Sequence, residues 1–314
     1  MVLPMNETPG TGPAPLVHSP VRVLDGAIGP VPSFVSHNEA NLDRDTVRSF
    51  GEEWQRFGEF TDEEIESGGD EYFAGLLTPA MLEGARVLDV GCGSGRWTRY
   101  LARRAGFVEA VDPSDAALVA ARTTANLKNT RIIQASVSSL PYPLSSFDIV
   151  ACVGVLHHVP DTAAAIVRLA ELVRPGGWLY LYLYYNLEGR SKSYRAAFHA
   201  ANALRAVISR LPAPLKAAAA EIAAVAVYFP CISLARLLRG LYPGETSYQR
   251  VPLHYYVDKP WKIVRNDALD RLGTPIEHRF SRAQITTMLE RAGLARATFG
   301  ESMPRWRVVA QRSA

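Results

Sequence analysis

The sequence predicts an α/β fold built around a doubly wound parallel sheet, and two observations carry this prediction. Short apolar segments alternate with helix-like segments across residues 86–185, as strands joined by crossover helices do. The first segment, Arg86-Val-Leu-Asp-Val, runs into a turn with glycines at 91, 93 and 95, and a helix-like segment from Trp97 to Arg104 follows. This order places the free N–H groups of a helix start beside an open glycine turn, where a ligand can bind.

The remaining elements follow from the same alternation and from capping residues. Strands are predicted near 86–91, 107–112, 131–135, 147–153 and 178–185, and helices near 95–105, 114–125 and 162–173. After an interruption the alternation returns. Ser281 is the predicted N-cap of a helix through Glu290, Gly293 ends that helix, and two strands follow near 294–300 and 305–312.

Four regions are predicted along the chain. Residues 1–30 are expected to be a flexible leader, and residues 31–85 an N-terminal helical cap with Phe50, Trp54, Phe57 and Phe60 on one aromatic stripe. The core of the fold is assigned to 86–185 and 281–314. Residues 186–280 interrupt it and are interpreted as a helical insertion that forms a lid over a bound substrate.

Composition narrows the functional class. The net charge is only +3 and the Lys and Arg residues are scattered, which argues against nucleic-acid binding. The three cysteines, at 92, 152 and 231, show no metal-ligand spacing, so no metal site is expected. Widely spaced cysteines in odd number favour a reducing compartment, and we expect a cytoplasmic protein.

The insertion is apolar and Ala-rich. Its longest uncharged stretch, Ile222 to Ala235, has 14 residues and is expected to be broken by Pro230, whereas a membrane span needs about 20 apolar residues. We therefore expect no stable membrane insertion. A helical lid that packs on the sheet or on a second subunit, as in a homodimer, is the favoured interpretation, and a surface for a lipid-like or membrane-bound substrate is the alternative.

The glycine turn suits a nucleotide-type ligand, and the residues around it distinguish a dinucleotide from a nucleoside that carries a methionine moiety. A dinucleotide site requires a small residue three positions after the second glycine, and Arg96 stands there. Asp89 at the strand tip would repel a pyrophosphate but suits the ammonium of a methionine moiety. Asp112 ends the next strand, 21 residues after Gly91, where an acidic residue meets ribose hydroxyls.

With these motifs the chain resembles the class I S-adenosylmethionine-dependent methyltransferases, in particular their small-molecule branch. The ordered blocks that carry the resemblance are Val87-Leu-Asp-Val-Gly-Cys-Gly-Ser-Gly-Arg, Val111-Asp-Pro-Ser, Leu140-Pro-Tyr, Phe147-Asp-Ile-Val, Val155-Leu-His-His-Val and Leu172-Val-Arg-Pro-Gly-Gly. The resemblance is strong over 86–185 and weak over 280–314. It implies a seven-stranded Rossmann-like sheet whose last strand is antiparallel, and S-adenosylmethionine as cofactor.

The resemblance also implies roles in cofactor binding. Gly91 and Gly93 would run under the methionine part with Asp89 orienting it, Asp112 would accept hydrogen bonds from both ribose hydroxyls, and Pro113 would flank the adenine. The family often has an Asp where this chain has Ser136. Ser136 can bond the adenine amine without charge, and the Val137 N–H can take N1. Cys92 and Cys152 complete the predicted cofactor-binding set.

The acceptor side is predicted from position alone. His157 and His158 follow the fourth core strand, so one of them is expected to act as a base or an orienting group, and His254 in the insertion is a third candidate. Tyr184, Tyr185, Tyr255 and His278 are the predicted acceptor-binding residues; core or loop packing is the competing interpretation of all seven.

The favoured function is methyl transfer to an O or N atom of a small or medium-sized acceptor, such as a sugar, glycolipid or specialised metabolite, by in-line displacement. The alternatives are transfer of a different group, such as an aminocarboxypropyl group, from the same cofactor, or a non-catalytic subunit with this fold.

Overall fold

The structure is a computed structural model, and it describes residues 12–189, 191–300 and 305–313. The chain divides into two compact units, which we describe separately. The first unit comprises Met1–Gly189 and Ile276–Ala314, and the second comprises Arg190–Pro275. In sequence, the second unit falls within the predicted insertion, residues 186–280.

A nine-stranded sheet organises the first unit. Its strands are β1 (Arg22–Gly26), β2 (Gly29–Ser33), β3 (Arg86–Val90), β4 (Phe107–Asp112), β5 (Thr130–Gln134), β6 (Phe147–Val153), β7 (Val173–Tyr184), β8 (Leu294–Phe299) and β9 (Arg305–Arg312). The order is β1-β2-β5-β4-β3-β6-β7-β9-β8. Strands β5, β4, β3, β6 and β7 are parallel, and β9 is antiparallel to both of its neighbours. The predicted doubly wound sheet is therefore confirmed.

The strand count differs from the predicted seven because β1 and β2 form a hairpin, which spans the end of the predicted flexible leader (1–30) and the start of the predicted helical cap (31–85). Val23 and Val31 lie on its two strands, which a turn at Gly26 and Gly29 connects. Strand β2 extends the sheet in parallel beside β5, through Ser33 and Gln134, and the Ser33 hydroxyl donates to Oε1 of Gln134 at 2.6 Å. Residues 1–11 of the predicted leader lie outside the described residues.

Helices cover the sheet and the approach to its carboxyl edge. They are α1 (Arg44–Phe57), α2 (Asp62–Phe73), α3 (Pro79–Leu82), α4 (Arg96–Ala102), α5 (Ala116–Thr123), α6 (Thr162–Leu172) and, after the second unit, α11 (Arg282–Arg291). The predicted N-cap is confirmed, because the Ser281 hydroxyl accepts from Gln284 N in a reciprocal capping box. Gly293 follows α11 with a positive φ of 73°, as its predicted role at the helix end requires.

The core lies on both faces of the central strands. Leu88 and Val90 of β3 belong to one buried cluster and Val87 to the other, because successive side chains of a strand point to opposite faces. The chain leaves β3 toward β4 on one side and returns as β6 on the other side. A crevice at the carboxyl ends of the strands forms at such a switch point.

The second unit is helical. It contains α7 (Lys192–Ile208), α8 (Ala213–Ala223), a π-helical turn (Ala224–Tyr228), α9 (Phe229–Leu241) and α10 (Trp261–Gly273), with 3₁₀ turns at Ser247–Arg250 and His254–Tyr256. The sequence analysis treated Pro230 as a break, but one continuous helix runs from Pro214 to Leu241. The π turn just before Pro230 accommodates a residue that cannot donate a backbone hydrogen bond.

Candidate active site

A cleft opens at the carboxyl edge of the sheet, where the switch point predicts one. It contains about 800 Å³ of empty space when the open solvent at its mouth is included. Strand ends and the loops that follow them supply one part of its lining: Val90, Gly91, Asp112, Pro113, Ser114, Ala135, Ser136, Val137, Val153, Gly154, Val155, His158 and Val159. Residues 41–54, around the start of α1, supply the rest.

The glycine turn lies in tight contact with the loop that follows β6. Gly91 has a φ of +71°, which L side chains rarely adopt, and a Cβ added there would lie 2.2 Å from Cγ2 of Val155. The Gly91 N–H donates to the carbonyl of Val111 at 2.7 Å. Both features fix the floor of the cleft against β4 and the β6 loop.

Asp112 holds this end of the cleft together. Its Oδ2 accepts from the Gly93 N–H at 3.0 Å, and its Oδ1 accepts from the Ser114 N–H at 2.9 Å and from the Ser114 hydroxyl at 2.6 Å. Burial raises the pKa of Asp112 above its usual value, while these three donors oppose the shift. The carboxyl group therefore links the glycine turn to β4 besides lining the cleft.

Asp89 is placed differently from the expectation of a carboxylate that faces the ligand. It is fully buried, is not among the cleft residues, and accepts a hydrogen bond from the Thr98 hydroxyl of α4 at 2.6 Å. Burial raises its pKa to about 7, the Thr98 hydrogen bond lowers it, and the nearby Asp112 raises it. Its visible role is to join β3 to α4.

The two predicted cofactor-binding cysteines are core residues. The Cys92 side chain packs with Ala110 and Ala120, and that of Cys152 belongs to the main core. Burial raises the pKa of both thiols well above the usual value, so both stay protonated. Neither lines the cleft. Gly93 does not line it either, and a Cβ added at Gly93 would lie 2.8 Å from Nε1 of Trp54.

Ser136 lines the cleft, and its hydroxyl is engaged by protein groups. It caps the 3₁₀ turn Val137–Ser139, where it accepts from Ser138 N at 3.1 Å. It also donates to the carboxylate of Glu39. Sequence reasoning missed Glu39, because nothing in the local pattern of 36–40 signals a partner 97 residues away.

His158 is the titratable side chain that reaches the cleft from the β6 loop. Its Nδ1 lies 2.6 Å from the carbonyl oxygen of Ile276, and a carbonyl only accepts, so Nδ1 carries the hydrogen. In the neutral ring the lone pair is then on Nε2. The Phe50 ring packs against His158 at a centroid distance of 4.9 Å.

His157 lies beside it in a buried aromatic cluster. It is fully buried, and its ring stacks on Tyr184 at 3.8 Å and contacts His158 at 4.2 Å. Neither ring nitrogen has a hydrogen-bond partner among the described residues. Burial above all, with the positive charges of neighbouring His and Arg groups, lowers the pKa of His157 well below its usual value. His157 is therefore neutral near pH 7.

The other predicted acceptor residues are divided between the two units. The His278 N–H donates to the carbonyl of His157 at 2.7 Å, and Nε2 of His278 has no partner in the part of the chain that the structure describes. Tyr185 is buried and pairs with Phe280 in an isolated bridge. His254 and Tyr255 lie in the second unit, where Nδ1 of His254 is 3.1 Å from the carbonyl of Val251 and Tyr255 packs edge-on against Tyr256.

Helix α1 and the residues before it contribute a wall that the sequence analysis did not assign to the site. Asn41, Leu42, Asp43, Thr46, Val47, Phe50 and Trp54 line the cleft. The aromatic stripe of α1 was a usable signal, since two of its members face the cleft. The Arg96 guanidinium lies over the rings of Trp54 and Trp97, at 5.2 and 4.5 Å, so the position that a dinucleotide site keeps small is filled by a cation–π cluster.

The comparisons with known proteins agree with this geometry. A family described as "Methyltransferase domain" matches residues 88–181, which include the glycine turn, Asp112 and His158. This part of the chain is a class I S-adenosylmethionine-dependent methyltransferase domain. The predicted family and cofactor class are thus confirmed. Within the described residues, no group of three or more His, Cys, Asp or Glu could hold a metal ion.

The methyltransferase domain is also similar to curated proteins. One relative is the ubiquinone biosynthesis O-methyltransferase of Thiobacillus denitrificans, 37% identical over 123 residues, which covers 38% of this chain and 52% of the relative. Another is the protein of the same name from Neisseria meningitidis, 35% identical over 159 residues, which covers 46% of this chain and 64% of the relative. The chain thus spans about half to two thirds of the length of these relatives.

Solved structures with related folds include the magnesium protoporphyrin IX methyltransferase of Synechocystis PCC 6803, 17% identical with a TM-score of 0.45, which covers 83% of this chain and 94% of that one. A phosphoethanolamine N-methyltransferase of Haemonchus contortus is 16% identical with a TM-score of 0.45 and covers 88% of this chain and 48% of that one.

Proposed function

We propose that this protein transfers the methyl group of S-adenosylmethionine to a hydroxyl oxygen of a small phenolic or quinone-type molecule. The observation that carries the proposal is the shared cleft of Asp112 and His158. One end offers a buried carboxyl group and a glycine turn, and the β6 loop offers a histidine whose tautomer is fixed by Ile276.

The cleft fits the cofactor. The Asp112 carboxylate has about one acceptor site beyond its three protein donors, which suits a ribose hydroxyl. Pro113, Val137 and Ala135 provide apolar lining for a purine, and any side chain at Gly91 would intrude at the turn. When bound, S-adenosylmethionine supplies an electrophilic methyl group on a sulfonium.

The acceptor class follows from two facts. The part of the lining around His158 is apolar and includes Val47, Phe50 and Val159, which suits an aromatic ring better than a sugar. The curated relatives are named for O-methylation in ubiquinone biosynthesis. Together these favour a quinone-type acceptor over the sugar or glycolipid expected from the sequence, and oxygen over nitrogen.

The residues of the cleft divide the chemistry. A phenol loses its proton as the new O–CH₃ bond forms, and Nε2 of His158 accepts that proton while the Ile276 carbonyl stabilises the resulting imidazolium through Nδ1–H. Because His157 is neutral, it places no positive charge next to His158 that would oppose protonation of His158. Holding the two reactants in line lowers the activation barrier more than the base does, by on the order of 7–11 kcal/mol in well-oriented cases.

The test is turnover by the full chain with methyl-labelled S-adenosylmethionine and a catechol or hydroquinone probe. We expect adenosylhomocysteine and a labelled methyl ether in equal amounts. Methylthioadenosine as the product would instead indicate transfer of the aminocarboxypropyl group. A chain that does not bind S-adenosylmethionine in a calorimetric titration would have to be a non-catalytic subunit.

A further inference from the structure

The long helix of the second unit exposes an apolar face. Its exposed side chains include large hydrophobic residues, which recur every three to five residues from Ile222 onward: Leu215, Ile222, Val225, Phe229, Leu234, Leu237 and Leu241. Ile222 is 67% exposed and Leu237 is 57% exposed. Only 22% of the most apolar 18-residue stretch of this helix is buried. Surface helices of globular proteins normally present polar residues to solvent.

The charged residues of the same helix are bonded within the second unit. Lys216 and Arg236 donate to the carbonyls of Gly273 and Val257, at 3.4 and 2.9 Å. The other two charged side chains form ion pairs: Glu221 with Arg265 at 2.8 Å, and Arg239 with Asp258 at 2.7 Å. The helix is thus amphipathic, but its orientation is opposite to that of an ordinary surface helix: its charged groups bond to the rest of the second unit, and its apolar side chains are exposed.

The charge of this unit identifies what covers the apolar face. Residues 190–275 contain 13 Lys and Arg against 5 Asp and Glu, a net charge of +8, whereas the rest of the chain contains 21 against 26, a net charge of −5. Such asymmetry within a nearly neutral chain points to an anionic surface. It disfavours a second copy of the same face, since two units of +8 would repel each other.

A groove beside the helix combines apolar side chains with positive charge. It is lined by Val225, Phe229, Ile232, Arg236, Lys259, Trp261 and Val264 and contains about 830 Å³ of empty space, counted to its mouth. The Phe229 and Trp261 rings meet edge to face at 6.1 Å. An apolar slot with two cations and a part-exposed Trp suits an acyl chain below an anionic phosphate.

We propose that the second unit docks on the surface of an anionic lipid bilayer, with the helix Pro214–Leu241 lying in the interfacial plane. Its apolar face enters the acyl boundary. Arg236 bonds the unit through Nε but is exposed, so its terminal nitrogens and Lys259 meet lipid phosphates at the groove. The helix lies on the membrane and does not span it, because spanning would bring Lys216, Glu221 and their partners into hydrocarbon.

Flotation of the full chain with lipid vesicles tests the proposal. We expect binding to phosphatidylcholine vesicles that contain about 40% phosphatidylglycerol and little binding to pure phosphatidylcholine. Raising the salt concentration to about 0.5 M should weaken the binding, because it screens the attraction. Equal binding to both vesicles, or none to either, would refute the anionic surface as the partner.

Paired substitutions test the helix face. The double variant Ile222→Gln and Leu237→Gln should lose at least about tenfold in vesicle affinity, whereas Leu144→Gln, at a side chain that is 60% exposed in the first unit, should bind like the wild type. Glutamine is chosen because it is a good helix former. The fold of each variant is checked by its circular dichroism spectrum and its affinity for S-adenosylmethionine, both of which should be unchanged.

Two further outcomes would overturn the proposal in favour of a different occupant. If vesicle-bound protein resisted an alkaline carbonate wash, the helix would span the bilayer. If sedimentation gave a dimer for the wild type and a monomer for the double variant, with no binding to vesicles, the covered face would be an interface between two copies.

Discussion

The Ser136 hydroxyl donates a hydrogen bond to the Glu39 carboxylate, which joins the turn after β5 to the segment before α1. The other oxygen of Glu39 accepts from the Ser36 N–H at 2.8 Å, so the carboxylate is held from two sides. The methyltransferase family often has an Asp at the position of Ser136. In this chain a carboxylate from a distant segment brings negative charge to the same place.

The first prediction concerns this pair. Glu39→Ala should weaken S-adenosylmethionine binding about tenfold, the lower end of the range for a hydrogen bond that involves a charged group, since Glu39 is partly exposed. Calorimetric titration measures the change. Glu290→Ala removes an exposed acid of α11 and is the matched control; equal affinities of the two variants would show that Glu39 does not support the adenine end.

The second prediction concerns His158. His158→Phe keeps a ring against Phe50 but removes the proton acceptor, and it should lower kcat by about 10²- to 10⁴-fold with a phenolic acceptor. The affinity for S-adenosylmethionine should change little. The rate of the variant should rise with pH toward the pKa of the phenol, because hydroxide replaces the base. A variant that retains the wild-type pH profile would exclude His158 as the base.

Local patterns made the first half of the site predictable. The segment from Val87 to Gly95 determines strand, turn and helix by itself, and Asp112 follows at the end of the next strand, so their meeting at one sheet edge follows from parallel topology. The capping box at Ser281 was predictable for the same reason, since its two bonds join residues three positions apart.

Long-range partners made the rest unpredictable. Glu39 meets Ser136 across 97 residues, and Ile276 meets His158 across 118, and no periodicity encodes either contact. The role of Asp89 was misjudged because its position at the strand tip suggested the ligand, whereas the hydroxyl of Thr98, nine residues further along the chain and beyond the glycine turn, donates to it. Pro230 was taken as a break because the sequence does not show that a π turn accommodates it.

The third prediction separates two roles of Asp112. Asp112→Asn removes the negative charge and should weaken S-adenosylmethionine binding by about 1.5–3 kcal/mol, the range for hydrogen bonds that involve a charged group. Ser114→Ala deletes one internal donor to Asp112 and leaves the carboxylate available. It should therefore lower the melting temperature while the affinity for S-adenosylmethionine changes little. Equal losses of affinity in both variants would mean that Asp112 acts only by holding the loop.

The fourth prediction concerns the contact between the glycine turn and the β6 loop. Gly91→Ala combines an unfavourable φ of +71° with a Cβ 2.2 Å from Val155, and it should destabilise the fold by about 1–3 kcal/mol and weaken cofactor binding. Val155→Ala in the same chain relieves the clash but not the φ strain, so it should restore part of both losses. Thermal unfolding and titration of the single and double variants measure the coupling, and simple additivity would contradict the predicted contact.

The last prediction is a pH dependence of stability from Asp89. Its pKa is 3.8 in the unfolded reference and about 7 in the fold, so between these values the folded chain holds a proton that the unfolded chain has released. The free energy of unfolding therefore falls as the pH rises from about 4 to about 7, and the loss is complete above that window. From the size of the pKa shift, the effect is on the order of 4 kcal/mol.

Asp89→Asn removes this titration and keeps an oxygen that accepts from Thr98. Urea unfolding at a series of pH values should therefore show a variant that gains stability relative to the wild type as the pH rises from about 4 to about 7, with a constant difference above. Thr98→Val removes the hydrogen bond that opposes the shift, so the stability of this variant should continue to fall to a higher pH than that of the wild type. If the difference between Asp89→Asn and the wild type did not vary with pH, the buried carboxyl group would not titrate in this window, and the raised pKa of Asp89 would be wrong.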